Sequence, residues 1–91
     1  MVKPKRLGHV VLRVRDIERS EKFYTDVLGL MVTAKISPRM VFMSASGDSS
    51  HELACMSIGA DAPGPEQSRV GLYHFAWEME SFEELQEFYL D

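Results

Sequence analysis

Apolar and polar positions alternate from the start of the chain. In residues 7–14 (LGHVVLRV), period-2 spacing puts His9, Val11 and Arg13 on one face and Val10, Leu12 and Val14 on the other. This is a strand whose apolar face packs on a helix. Asp16 then stands as an N-cap. Ile17, Tyr24, Val27 and Leu28 follow at helical spacing, and Gly29 is a left-handed stop, which predicts a helix over 17–28. Residues 30–36, 39–45 and 51–58 read as three further strands, with turns at 37–38 and 46–50. The stretch 59–68 (GADAPGPEQS) holds two Gly and two Pro and interrupts any regular element. Residues 70–79 read as a strand. Ser81 with Glu84 forms a capping box before an apolar helical stripe of Phe82, Leu85, Phe88 and Tyr89.

The order β-α-β-β-β, connector, β-α is one unit followed by the start of a second. A shift of 65 residues lays 9–26 on 74–91 with five identities: His9/His74, Glu18/Glu83, Phe23/Phe88, Tyr24/Tyr89 and Asp26/Asp91. The inward strand positions also match in kind (Val10/Phe75, Leu12/Trp77, Val14/Met79), and the cap Asp16 matches Ser81. This is the signature of an internal repeat. The domain reading is a first βαβββ unit over 6–58, a connector over 59–69, and the strand and helix of a second unit over 70–91. On this reading the second unit is truncated, and two complete units would need about 130 residues, twice the repeat length. A lone unit leaves an apolar face uncovered, so paired chains, a homodimer, are expected.

Composition fits a globular α+β chain of 91 residues, 45% hydrophobic and 26% charged. No apolar run reaches the roughly 20 residues that span a bilayer. The start, MVKPKR, lacks a signal-peptide core, so the expected location is cytoplasmic, with no membrane partner. Net charge is −4, which argues against wholesale phosphate binding and a nucleic-acid partner. The charge is uneven: residues 1–22 hold seven of the ten basic residues, and 78–91 hold six acids. Arg13 aligns with Glu78 and Arg15 with Glu80, which predicts charge complementarity between the halves. The single cysteine, Cys55, reads as a small buried apolar residue.

The main chemical signal is a histidine at equivalent strand positions in both units. Imidazole is the commonest side-chain metal ligand, so His9 and His74 could meet at one ion beside a carboxylate. The plainer alternative is a hydrogen-bonded structural histidine. Glu78 lies roughly 13 Å along the strand from His74, too far to share an ion. His51 and Glu52 open the fourth strand and alternate in facing. Glu52 facing inward could complete a metal shell, whereas His51 facing inward could act as an acid/base. A solvated strand end for both is the bland reading. Arg13, Arg15 and Tyr73 could bind an anionic or aromatic substrate. Trp77, Phe75, Phe88 and Tyr89 read as core packing, and Met31, Met40 and Met43 as core or cleft lining.

The segments GHVVLRVRDIERSEKFYTDVLGL, HELAC and GLYHFAWEM resemble the vicinal oxygen chelate superfamily, which includes glyoxalase I, extradiol dioxygenases, and fosfomycin- and bleomycin-resistance proteins. The resemblance covers residues 6–91. It implies paired βαβββ units around a metal cleft, with His9 and His74 at the two histidine ligand positions and a further carboxylate beyond residue 91. The SHELAC and GLYHFAWEM segments look like those of the dioxygenase-like branch. There the residue matching His51 is an acid/base assisting oxygen chemistry on Fe(II). Ser50 stands where that branch has a second histidine. The resemblance thus implies a divalent metal, Fe(II) in first place, then Mn(II), and an aromatic diol cleaved beside its hydroxyls. The alternative is a glyoxalase-like isomerase acting on a dicarbonyl-type compound, with Ni(II) or Zn(II) and Glu52 in the metal shell. A third reading is a non-enzymatic ligand-binding or resistance protein of the same fold. The 91-residue chain alone is expected to be inactive.

Overall fold

The computed structural model describes residues 1–47 and 51–90, Leu90 by its backbone only. The turn expected at 46–50 therefore lies partly outside the described residues, as do Ser50 and the Asp26/Asp91 match.

Strand β1 (Val10–Val14) leads into helix α1 (Ile17–Asp26), then β2 (Met31–Ile36), β3 (Met40–Ser44), β4 (Leu53–Ser57) and helix α2 (Phe82–Leu90). The four strands form one mixed sheet in the order β1-β4-β3-β2. β4 pairs parallel with β1, Val10 opposite Leu53 and Leu12 opposite Cys55, and antiparallel with β3, Val41 opposite Cys55 and Met43 opposite Leu53. β2 pairs antiparallel with β3, with an irregularity between Val32 and Ala34.

This register explains the core. Val10, Leu12 and Val14 share a sheet face with Leu53, Cys55, Val41 and Met43, and α1 covers that face. Met43, Leu53 and Cys55 are fully buried, with Leu30 at the edge of the cluster and Ile17, Tyr24 and Leu28 packed against it from the α1 side. Burial pushes the Cys55 thiol up to about 11. The helix starts at the expected cap, Asp16 Oδ1 accepting from the Arg19 N–H at 3.1 Å, and ends at Asp26 with Val27 as its C-cap, two residues short of the expected 28, while Gly29 takes φ 71°. The β2–β3 turn carries a cis Ser37-Pro38 bond.

The expected strand over 70–79 differs from what is observed. Phe75, Trp77 and Met79 are half-buried between exposed neighbours, and Phe75 and Trp77 pack against the core. The alternation is present, but no ladder forms. Side-chain burial fixes which way residues face. A strand also needs a neighbouring backbone to pair with, and this segment has none among the described residues. α2 forms as expected, with Ser81 Oγ accepting from the Glu84 N–H at 3.1 Å. Its stripe is not core throughout, however: Phe88 is half-buried, while Phe82 and Tyr89 are exposed. Met31 on edge strand β2 is also exposed.

The chain is looser than its length requires. Its accessible surface is 8043 Å² and its radius of gyration 14.9 Å. A compact chain of this mass exposes about 5400 Å², and one of this length has a radius near 12 Å. Among the described residues no helix is long and apolar enough to cross a membrane.

Candidate functional site

The sheet face opposite α1 stays open. His9 precedes β1 on this face, followed by Val11 and Arg13; Phe42 and Ala34 lie across the sheet. Alternation counted back from Leu53 would turn His51 away, but the chain bends at Glu52 before β4 begins. The His51 ring instead sits 4.7 Å from that of His9 and 5.0 Å from that of Phe42, centre to centre. His51 is half-buried and His9 exposed. With Thr33, Ala34 and Phe42, His51 lines a cleft of about 340 Å³.

Glu52 points elsewhere. Its carboxylate accepts from Ser46 Oγ at 2.8 Å and from the N–H groups of Ser46 and Ala45 at 3.3 Å each. Partial burial opposes its ionisation. Hydrogen bonds from Ser44, Ser46 and those two N–H groups outweigh it and hold the carboxyl below the ordinary glutamate range. Ser44, fully buried, also accepts from the Gly47 N–H at 3.0 Å. The carboxylate thus ties together the end of β3 and the turn after it. The sequence offered two adjacent residues and a choice of facing. The structure directs the imidazole to the open face and the carboxylate to the turn.

His74 lies on the unpaired segment, exposed, with its ring 5.0 Å from that of Tyr73. Tyr73 is almost wholly exposed. Among the described residues no three His, Cys, Asp or Glu side chains stand close enough to hold a metal ion. The donors gathered among the described residues therefore do not by themselves fit a metal. The ion pairs are Lys22–Asp26, Lys35–Glu21 and Arg69–Glu66, none of which includes Arg13, Arg15, Glu78 or Glu80. The expected charge complementarity between halves thus forms no ion pair among the described residues.

A second cleft went unnoticed in the sequence. It measures about 440 Å³ and is lined by Arg13, Arg15, Arg19, Phe23 and Tyr24 from β1, α1 and the link between them, and by Ala62–Pro65 of the connector. The clustering of basic residues near the N-terminus was visible, but the fold of the connector over them was not.

The model of one protein family, described as Glyoxalase/Bleomycin resistance protein/Dioxygenase superfamily, matches residues 6–91. The chain is 30% identical over 84 residues to Metapyrocatechase 2 of Cupriavidus necator, covering 92% of this chain and 24% of that one. It is 35% identical over 74 residues to Catechol-2,3-dioxygenase of Bacillus subtilis (strain 168), covering 77% of this chain and again 24% of the relative. The chain thus spans about a quarter of the length of these curated relatives. Among solved structures, a lactoylglutathione lyase from Agrobacterium tumefaciens superposes with a TM-score of 0.69 at 22% identity, over 96% of this chain and 67% of that one. A possible glyoxalase from Bacillus cereus gives 0.69 at 19% identity, over 93% and 69% of the two chains. Both likenesses concern the fold.

Proposed function

The chain belongs to the Glyoxalase/Bleomycin resistance protein/Dioxygenase superfamily, and from that premise we propose that it contributes to a metal-dependent site for ring cleavage of a catechol-type diol. The observation that carries this reading is the contact of His51 with His9 and Phe42 on the open sheet face, at 4.7 and 5.0 Å. Phe42 offers a flat wall for an aromatic ring. His51 stands beside it, where an imidazole can take a proton from a ring hydroxyl. The names of the two relatives above support a diol as substrate.

In this proposal His9 and His74 are metal ligands, Fe(II) being the favoured ion, and Arg13 and Tyr73 contact substrate. Among the described residues the donors do not complete a centre; in this proposal the active form pairs two chains in the cytoplasm, and the lone chain is inactive. The excess surface, 8043 Å² against about 5400 Å² for a compact chain, supports such pairing. A standard interface covers about 800 Å² on each partner. The glyoxalase-like alternative would place Glu52 on Ni(II) or Zn(II). The commitment of that carboxylate to Ser46 weighs against it.

The test combines size measurement by light scattering, anaerobic calorimetric titration with Fe(II), Mn(II), Ni(II) and Zn(II), and exposure to catechol and air. Metal binding and yellow ring-cleavage product are expected in the paired fraction only. His9→Ala and His74→Ala should each abolish metal uptake. His51→Gln should keep the metal and lose the product. Turnover by a monomer, or metal uptake unaltered by His9→Ala and His74→Ala, would overturn the proposal. So would the absence of metal and product in every fraction. Isomerisation of a dicarbonyl adduct on Ni(II) or Zn(II), lost in Glu52→Gln, would establish the alternative.

A further inference from the structure

The cleft between α1 and the connector carries more positive than negative side chains. The chain carries 14 acids against 10 basic residues. Yet the Arg13, Arg15 and Arg19 side chains line one cleft and make no ion pair among the described residues. The one carboxylate on the lining, Asp16, accepts from the backbone N–H of Arg19 as the helix cap. Three guanidinium groups against one carboxylate leave the lining with an excess of positive charge.

Arg15 is held in place. Its Nε–H donates to the Ala62 carbonyl at 2.6 Å, across 47 residues of sequence. Gly64 lies directly over it: a Cβ at that position would come within 3.1 Å of a terminal guanidinium nitrogen. A side chain at 64 would require the Arg15 guanidinium to give by a few tenths of an ångström. With Nε engaged, the terminal nitrogens of Arg15 keep their donors. The Arg13 and Arg19 side chains make no hydrogen bond among the described residues, so both retain all of theirs. The wall beside them is apolar and aromatic. Phe23 is half exposed and meets Tyr24 edge to face at 5.1 Å, and Pro63 and Pro65 close the far side.

From these residues we propose that this cleft binds a small organic oxyanion, with a phosphate or carboxylate head on Arg13, Arg15 and Arg19 and an aromatic or similarly flat body against Phe23. Guanidinium groups match both heads in a bidentate manner. The volume of about 440 Å³ is in the range of small-molecule sites. The cleft shares no lining residue with the His51 cleft. Arg13 is also assigned to substrate in the ring-cleavage reading, so Arg19→Gln is the variant that tests this cleft independently of it.

The experiment is calorimetric titration of the full chain, without added metal and at low ionic strength. Phenyl phosphate, benzoate, inorganic phosphate and uncharged benzyl alcohol are the probes. Phenyl phosphate or benzoate should bind, and the tighter of the two identifies the head. Inorganic phosphate should bind more weakly and benzyl alcohol not at all. Arg19→Gln and Arg13→Gln should each weaken binding at least about tenfold, the consequence of losing one charge-assisted contact. Lys3→Gln, an exposed basic residue outside the cleft, should not. Arg15→Lys keeps the charge but removes the Nε–H bond to Ala62, so its circular dichroism is compared with that of the parent before its affinity is read. Absence of binding by every anion at millimolar concentration overturns the proposal. So does binding that Arg19→Gln leaves unchanged in a folded variant, or binding no tighter than that of benzyl alcohol.

Discussion

Replacing Glu52 separates a residue that holds a turn from one that holds a metal. The carboxylate gathers Ser46 Oγ at 2.8 Å, two backbone N–H groups at 3.3 Å, and the buried Ser44 hydroxyl. In Glu52→Ala the donors of Ala45 and Ser46 are exposed and recover water, at a net loss of a few tenths of a kcal/mol each. Ser44 cannot recover it, because its side chain is fully buried. Leaving that hydroxyl without an acceptor costs about 1–3 kcal/mol. The sum is about 2 kcal/mol, which for a chain of this size lowers the melting temperature by roughly 8–16 °C. Glu52→Gln keeps one acceptor oxygen and turns its amide toward the remaining donors, so it should lose about half as much. The assay is urea unfolding followed by far-ultraviolet circular dichroism in the presence of a chelator, so that no metal contributes. The pH dependence has a definite sign. The native carboxyl titrates below its unfolded value, so its contribution is complete above the ordinary glutamate pKa of about 4.3. It is lost as pH falls through the native value. The gap between parent and Glu52→Gln should therefore narrow in acid. An unchanged urea midpoint for Glu52→Ala in chelator would refute the turn-holding role.

Cys55, buried and with its thiol raised to about 11, should resist a disulfide reagent at pH 8 in the native chain and react at once in urea. Rapid native labelling would contradict its burial. Met43→Ala should cost about 2–5 kcal/mol and the exposed Met31→Ala less than about 0.5, measured by the same urea assay. Asp16→Ala removes the cap on the Arg19 N–H and should cost about 0.5–2 kcal/mol, with Asp16→Asn close to the parent. Amides of 72–79 should exchange with solvent much faster than those of β3 and β4, because no ladder protects them.

Much of this molecule was legible because local rules and tertiary packing agree. The Asp16 cap, the Gly29 stop and the inward set Val10, Leu12 and Val14 each follow from spacing alone, and the register with Leu53 and Cys55 uses that same set. Where the reading fell short, the missing information was not local. Residues 70–79 carry the right alternation, and Phe75 and Trp77 are half-buried as it requires. A period-2 pattern reports two faces and is silent about an edge. Only the fold shows that no strand lies alongside.

The same distinction governs the two clefts. Strand alternation allowed only one of His51 and Glu52 to face inward, and the choice turned on a bend that the pattern does not encode. Glu52 keeps its backbone bonds to Met43 and Val10 while its carboxylate fastens to Ser46, which fixes the residue next to the imidazole that lies against His9 and Phe42. On this argument the orientation of the histidine depends on the acceptor beside it. Glu52→Ala should then disturb the open face as well as the turn, whereas Arg15 and Arg19, anchored on β1, α1 and the connector, should be indifferent to it. The geometry thus makes the His51 cleft conditional on one carboxylate. The arginine cleft depends instead on the bond from Arg15 to the Ala62 carbonyl, which holds the connector over it.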